Sequence, residues 1–417
     1  MRILVIGSGG REHALVWRLA QSADRPKLFA IPGNPGMAKL VTLLPIGDGS
    51  PQRLLAAAES VEADLTVVGP EAPLVAGVVD AFLAAGRKIV GPTAAAAQLE
   101  GSKIFAKHFF HRAGIPTAAF VSADTPEQAL QALDHFEYPV VIKADGLAAG
   151  KGVVIAPDRA AAESAIRSLS GRMVVEQFLV GEEVSFIALT DGQNVVPLAP
   201  TQDHKTVFDS DTGPNTGGMG AYCDSRILTA AETEQILDTI IRPTVAATQF
   251  TGFLYAGLMM TASGPKILEY NVRLGDPETQ PILHRLKTDL APVLFAAASA
   301  ELGSVTLDWN SGPSVCVVMA SGGYPGKFAT GLPISGIERA EASGATVFQA
   351  GTRLGSHGLE TAGGRVLGVT AAGADLAEAI DSAYSAVGSI HFEHMHYRHD
   401  IGAKGLKRYN KNVGMGT

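Results

Sequence analysis

Three observations predict a multidomain α/β and α+β protein with an N-terminal parallel-sheet α/β unit and a C-terminal α/β unit. The first hundred residues alternate short apolar strands with amphipathic helices, the pattern of a parallel sheet covered by helices. The middle, to about residue 305, mixes glycine runs flanked by strands with a long polar loop. From Thr306 onward short strands surround one clear helix. A chain of 417 residues is too long for a single core, so roughly two to four domains are expected. The units read as 1–100, 101–305 and 306–417.

The elements follow in chain order. RILVIG is a strand and REHALVWRLAQS an amphipathic helix; KLFAI, DLTVVG and KIVG are short apolar strands. Between them PQRLLAAAESVEA and LVAGVVDAFLAAG read as helices. The composition shift at PTAAAAQLEGSK leads into the second unit. There YPVVIK and GVVIA, both β-branched, flank a glycine-rich tip and predict a hairpin. MVVEQFL and EEVSFIALT read as a strand pair, followed by a polar glycine loop from Gln202 to Gly220. A helix from Thr229 to about Gln249 precedes the strands YAGLMMTA and PKILEYN. The last unit holds the strands SVCVVMAS, TVFQAG and RVLGVTAAG and the helix DLAEAIDSAYSAVGSI.

Composition narrows the function. Hydrophobic content of 46% and charged content of 18% fit a globular enzyme or binding protein. A net charge of −8 argues against nucleic-acid or anionic-membrane partners. No apolar run reaches transmembrane length, and glycine interrupts the first apolar run too early for a signal peptide. Cys223 and Cys316 stand far apart, which predicts no disulfide framework and a reducing, cytoplasmic setting.

Four stretches carry chemistry. KADGLAAGKGVVIA, from Lys143 to Ala156, resembles a phosphate cradle but not a P-loop. Only three residues separate Gly146 from Gly150, and Lys151 is followed by Gly152 rather than a hydroxyl. GSGGREHA, Gly7 to Ala14, links strand to helix, where amides can hold an anion. Glu12 stands where a dinucleotide fingerprint needs glycine, so a phosphorylated substrate suits it better than NAD. A tight turn that simply needs glycine is the other reading. VGPEAPL and IVGP end neighbouring strands on the same carboxyl edge. In KILEYNVRLGDPETQ, alternate residues share a face, which groups Glu269, Asn271 and Arg273. Carboxylate and carboxamide oxygens suit Mg²⁺, and the arginine suits a transferring phosphate. A solvated polar strand face would show the same alternation. The loop QDHKTVFDSDTGPNTGGMGAY is functional or disordered. The histidines His391, His394, His396 and His399 share no face that would give three metal ligands.

Together these motifs identify a resemblance. GSGGREHA, VGPEAPLVAGVVD, AAAQLEGSK, VIKADGLAAGKGV, DTGPNTGGMGAY, GFLYAGLM, EYNVRLGDPETQ, VVMASGGYPG and GGRVLGVTA occur in the order of the glycinamide ribonucleotide synthetase family of ATP-grasp ligases. The resemblance spans nearly the whole chain. It implies an ATP-grasp core with a small lid domain over about 118–188. It also implies ligation of glycine to 5-phosphoribosylamine with ATP, through glycyl phosphate, giving glycinamide ribonucleotide, ADP and phosphate in purine biosynthesis. A monomer is favoured. By the same resemblance, Gly146, Gly150, Lys151 and Gly152 close over ATP, and Lys103 and Lys143 neutralise its phosphates. Glu176, Phe178 and Leu179 lie at the adenine hinge, with Glu183 at the ribose. Glu269 and Asn271 hold Mg²⁺ or Mn²⁺, Arg273 steadies the transferred phosphoryl, and Asp211 and Asn215 assist glycine or the amine. Gly9, Gly10, Arg11, Glu12, Pro70 and Glu71 lie near 5-phosphoribosylamine. The chain departs from the family pattern in YAGLMM, which has no second metal carboxylate, and at Thr206, where a basic residue is usual. A carboxylating ATP-grasp ligase would lack the GPNTGGMGAY loop, and a nucleotide sensor without turnover would not need Glu269, Asn271 and Arg273.

Overall fold

The computed structural model describes residues 1–147, 152–356 and 358–414, with side chains through Tyr409. The N-terminal strands β1 (Arg2–Gly7), β2 (Lys27–Pro32), β3 (Thr42–Leu43), β4 (Leu65–Val68) and β5 (Ile89–Val90) form one sheet in the order β3-β2-β1-β4-β5. Every pairing in it is parallel. Helices α1 (Gly10–Leu19), α2 (Pro51–Ser60), α3 (Glu71–Val75) and α4 (Val78–Ala84) connect the strands. The single helix expected over LVAGVVDAFLAAG is two, broken at Gly77, whose φ of 87° ends one and caps the next. Because the sheet is parallel, the GSGG and GPE loops share its carboxyl edge.

Helices α5 (Ala94–Gly101) and α6 (Lys103–Ala113) abut at Ser102, whose hydroxyl accepts from Phe105 N–H and starts the second. Beyond them lies a four-stranded sheet of β6 (Phe120–Ala123), β7 (Val140–Ala144), β8 (Val153–Ala156) and β9 (Met173–Gln177), in the order β6-β9-β7-β8. Helices α7 (Pro126–Ala132) and α8 (Arg159–Leu169) cover it around a core that includes Ile142, Ile166 and Val175. The expected hairpin is there, with Lys143 opposite Val153. Its tip, with Gly150 and Lys151, lies outside the described residues.

A ten-stranded sheet forms the body. It contains β10 (Glu182–Asp191), β11 (Val195–Pro197), β12 (Thr201–Asp203), β15 (Gly220–Cys223), β16 (Thr251–Thr261) and β17 (Gly264–Asn271). Between β12 and β15, β13 (Thr206–Phe208) and β14 (Thr212–Asn215) form a separate hairpin. The expected strand pair MVVEQFL and EEVSFIALT is therefore not one: β9 belongs to the small sheet, whereas β10 pairs antiparallel with β16. The small sheet spans Phe120 to Gln177, within the 118–188 expected for the lid. The long loop is partly ordered into β13 and β14. The helix expected over 229–249 is α9 (Ala230–Ile236), a π turn at Leu237–Ile241 and α10 (Arg242–Thr248). Pro243 cannot donate to the turn before it, which accounts for the bulge upstream.

Helices α11 (Thr279–Arg285) and α12 (Leu290–Ala297) then lead to β18 (Ser314–Ser321). The C-terminal part adds α13 (Ile337–Ala342), β19 (Thr346–Gln349), β20 (Thr352–Gly355), β21 (Gly358–Thr361), β22 (Arg365–Ala372), α14 (Leu376–Val387), β23 (Met395–His396) and α15 (Ala403–Gly414). The large sheet runs β17-β16-β10-β12-β15-β18-β22-β19. The C-terminal unit shares the central sheet, joined where Cys316 of β18 faces Ala221 of β15.

Candidate active site

A cleft opens between the small sheet, α5, α6 and β17. Its lining includes Lys103, Lys107, Lys143, Glu269, Asn271 and Arg273. Glu269 and Asn271 are two apart on β17 and share its cleft face, as the alternation requires. Among the described residues no hydrogen bond or ion pair engages the Glu269 carboxylate. Burial pushes its pKa up, but Lys205, Lys143, Lys103 and Arg273 outweigh this and hold it low. An ionised carboxylate with no ion-pair partner among the described residues, beside an amide oxygen, fits a divalent cation with hard oxygen preferences.

Arg273 is set just past β17. Its guanidinium donates to Glu100 at 2.7 Å, Glu71 at 3.2 Å and Asn271 Oδ1 at 3.1 Å. Burial works against its charge, but the two carboxylates prevail and raise its pKa. Glu100 is also fixed by Val272 N–H at 2.8 Å. Burial raises the Glu100 pKa, whereas Arg273 and Arg11 hold Glu71 below its usual value against burial.

The opposite wall belongs to the lysines. Lys103 donates to the carbonyl of Gly146 at 2.9 Å, and burial lowers its pKa. Gly146 has a φ of 93°, a conformation that favours glycine at the hairpin shoulder. Lys143 reaches the carbonyl of Leu268 at 3.0 Å. The Glu176 side chain is 2% exposed and bridges Lys143 at 2.5 Å and Lys107. Past β9, Leu179 packs with Ala118, Met259 and Leu268 as an apolar wall. No backbone hydrogen bond within the described residues engages the N–H of Phe178 or Leu179. Glu183, on β10, ion-pairs with Lys205 at 3.1 Å.

The carboxyl edge of the N-terminal sheet approaches the same region, with corrections. Glu12 is 2% exposed and folds back to accept from Gly9 N–H at 2.6 Å and from Arg11 Nε at 2.5 Å. It closes the start of α1. Arg11, also buried, ties this turn to the Leu274 carbonyl at 3.0 Å. A Cβ on Gly7 or Gly69 would overlap Glu12, so these glycines make room for a carboxylate. A Cβ on Gly10 would lie 2.7 Å from Gln280 Nε2, so that glycine serves close packing on α11. Pro70 caps α3, whose first residue is Glu71. Of the loop residues, Asp211 is tied by Arg398 at 3.1 Å and Lys404 at 2.8 Å. It is thus a tether to the C-terminal segment, not a free carboxylate at the cleft. Asn215 closes the small hairpin opposite Thr206. Two of the tail histidines, His396 and His399, contact the Val207 carbonyl and Asp209.

Sequence reasoning missed Glu100, Lys107, Asp276 and Arg365. Arg365 donates to the carbonyls of Gly217, at 2.7 Å, and Asp276, at 2.5 Å, and to Asp276 Oδ2 at 3.0 Å. It pins the glycine loop to the segment that follows β17. Lys107 had one legible signal, its position one helical turn after Lys103. The others come together only through tertiary contacts.

The chain is similar to known proteins over nearly its whole length. Family models described as phosphoribosylglycinamide synthetase match as N domain over residues 1–100, ATP-grasp (A) domain over 101–279 and C domain over 314–404. The phosphoribosylamine–glycine ligase of Allochromatium vinosum is 50% identical, over 98% of this chain and 99% of its own. That of Escherichia coli is 49% identical over 98% and 99%. The crystal structure of phosphoribosylamine–glycine ligase from Thermotoga maritima covers 96% of this chain and 100% of its own, with 33% identity and a TM-score of 0.84. A biotin carboxylase from Campylobacter jejuni in complex with β-γ-ATP, at 14% identity, covers 95% and 93% with a TM-score of 0.72, which shows a shared fold.

Proposed function

The chain belongs to the phosphoribosylglycinamide synthetase family, and from that premise we infer that it is a ligase joining glycine to 5-phosphoribosylamine with ATP. The products are glycinamide ribonucleotide, ADP and phosphate. The observation that supports this most is the convergence on one cleft of Glu269, Asn271 and Arg273 with Lys103 and Lys143. It brings anion-neutralising cations and a pair of oxygen donors to the same space, as phosphoryl transfer requires.

Glu269 and Asn271 would hold Mg²⁺ or Mn²⁺, which would offset the negative charge of the phosphates there. Lys103 and Lys143 face the α- and β-phosphates, with Gly146 and Gly152, the described shoulders of the hairpin, lining the same cleft. The unengaged N–H groups of Phe178 and Leu179 suit the edge of adenine, with Leu179 and Leu268 as its apolar wall. Glu183 suits the ribose hydroxyls.

The glycine carboxylate attacks the γ-phosphorus and ADP leaves, giving glycyl phosphate. The amine of 5-phosphoribosylamine then attacks the acyl carbon and phosphate leaves. Arg273, preset by Glu100 and Glu71, is placed to steady the transferring phosphoryl group. Gly9, Gly10, Pro70 and Glu71 border the phosphoribosylamine side, and Asn215 the amine. The two buried, unbridged cysteines agree with a reducing cytoplasm, and the reading takes the enzyme as a monomer.

ADP release should require glycine and fresh 5-phosphoribosylamine together. Glycine labelled with ¹⁸O in its carboxylate should pass label to inorganic phosphate. ADP release indifferent to glycine would sink the activity, and unlabelled phosphate would sink the acyl phosphate.

A further inference from the structure

Lys107 lies at the floor of the cleft, yet its ammonium is tied off. It donates to Thr117 Oγ1 at 2.8 Å, ion-pairs with Glu176 and sits over the rings of Phe110 and Phe120 at 5.9 and 5.8 Å. Thr117 in turn donates to the Ile267 carbonyl on β17 at 2.8 Å. The other Glu176 oxygen holds Lys143 at 2.5 Å, and Lys143 also donates to Leu268. All three charges are buried. With Glu176 as its only ionic partner, Lys143 would form a neutral pair, with little net attraction for a phosphate. A second ammonium on the same carboxylate changes that: two cations share the one anion they touch, and Lys143, the more exposed of the two lysines at 7% against 3%, presents the surplus to the cleft.

We propose that Lys107 is a positioning residue for nucleotide binding: by sharing Glu176, it leaves the charge of Lys143 available to the phosphates of ATP. This rests on the reading of Lys143 as a phosphate partner. The structural arrangement supports it in one further respect. Lys107 and Glu176 come from α6 and β9, and Lys143 from β7, so the set is fixed across the hinge between body and lid rather than within one flexible loop.

The test is a charge cycle read by nucleotide affinity. Dissociation constants of ADP with Mg²⁺, and of adenosine, are measured by competition against a fluorescent ADP analogue. Lys107→Met should weaken ADP about tenfold or more and adenosine by less than about threefold, because only the phosphates feel the lost surplus charge. Adding Glu176→Gln to Lys107→Met should restore ADP to within about threefold of the parent, because the carboxylate no longer cancels Lys143. Lys107→Arg should bind as the parent does. Equal losses for ADP and adenosine, or no recovery in the double variant, overturn the inference. Lys143→Met serves as the control. If it weakens ADP while Lys107→Met does not, the inference alone fails. If it leaves ADP unaffected, the phosphate role of Lys143 and the inference fail together. Should Lys107→Met not fold, Glu176→Gln decides by itself: tighter ADP binding supports charge sharing, and unchanged or weaker binding overturns it.

Discussion

Glu269 is held ionised by four cations that it does not touch, and that is the state a divalent ion needs. Glu269→Gln keeps the shape and removes the charge. Turnover should fall about 100-fold or more, with the melting temperature unchanged or higher, since one buried charge is gone. A steady-state assay over a range of Mg²⁺ with a parallel melt checks both; near-normal turnover would remove Glu269 from the metal site. Glu278 presents the opposite balance. Burial, with nearby Asp203, pushes its pKa up from 4.5 to about 7, while Tyr255 donates to it at 2.9 Å. The folded chain thus keeps a proton that the unfolded chain releases between those values. The associated stability is present below pH 4.5 and is lost as pH rises toward about 7. Glu278→Gln should stabilise the protein at pH 8 by up to about 3 kcal/mol and hardly at all at pH 4. Melts at the two pH values test this, and an equal shift at both would contradict it. These residues also mark how far sequence reaches. Glu269, Asn271 and Arg273 were legible because a strand puts alternate residues on one face. For Glu12, the position at the start of a helix shows that it can meet amides, and only the fold shows that one of them is that of its own Gly9.

At the scale of elements, period and punctuation were legible, and partnership was not. The hairpin β7–β8 was legible because two β-branched runs flank glycines. β9 and β10 looked like a pair for the same reason, yet their hydrogen-bond partners lie in separate sheets, which local pattern cannot specify. The glycine loop between β14 and β15 was a loop on composition. Its docking depends on Arg365, about 150 residues away, whose guanidinium gathers the carbonyls of Gly217 and Asp276. Gly218 makes that approach possible: its φ is 114°, and a Cβ there would come within 2.5 Å of Pro277. Gly218→Ala combines backbone strain with that overlap, at a cost of about 1–3 kcal/mol. The loop should lift, lowering kcat/KM for 5-phosphoribosylamine while ADP still binds. Calorimetry with ADP beside steady-state kinetics separates the two effects; a matching loss of ADP affinity would show that the loop is not confined to the acceptor side.

For the whole molecule, the division that matters is not the one along the chain. The C-terminal strands continue the central sheet through β15 and β18, and one core cluster spans Phe186, Tyr222, Val317 and Phe392. Breaking that seam would expose both the ladder and its packed face, so the central and C-terminal parts should open as one cooperative unit. The lid is built differently. Its core, from Ala123 to Val175, is drawn from its own strands and helices. Much of what ties it to the body is polar: Lys103 to Gly146, Lys107 to Glu176 and Lys143 to Leu268. Charged contacts across a hinge can be exchanged for contacts with a nucleotide, whereas a shared sheet cannot be parted without cost. Hydrogen exchange followed by mass spectrometry should therefore divide the chain at the lid. Peptides over 120–177 should exchange faster without nucleotide and gain protection with ADP and Mg²⁺. Peptides over 182–191, 314–321 and 365–372 should exchange slowly and together, with or without it. If the strands at 314–321 and 365–372 opened well before those at 182–191, the continuous sheet would not be the cooperative unit. If the lid gained no protection from nucleotide, the polar contacts around Lys143 would not be the ones that ATP engages.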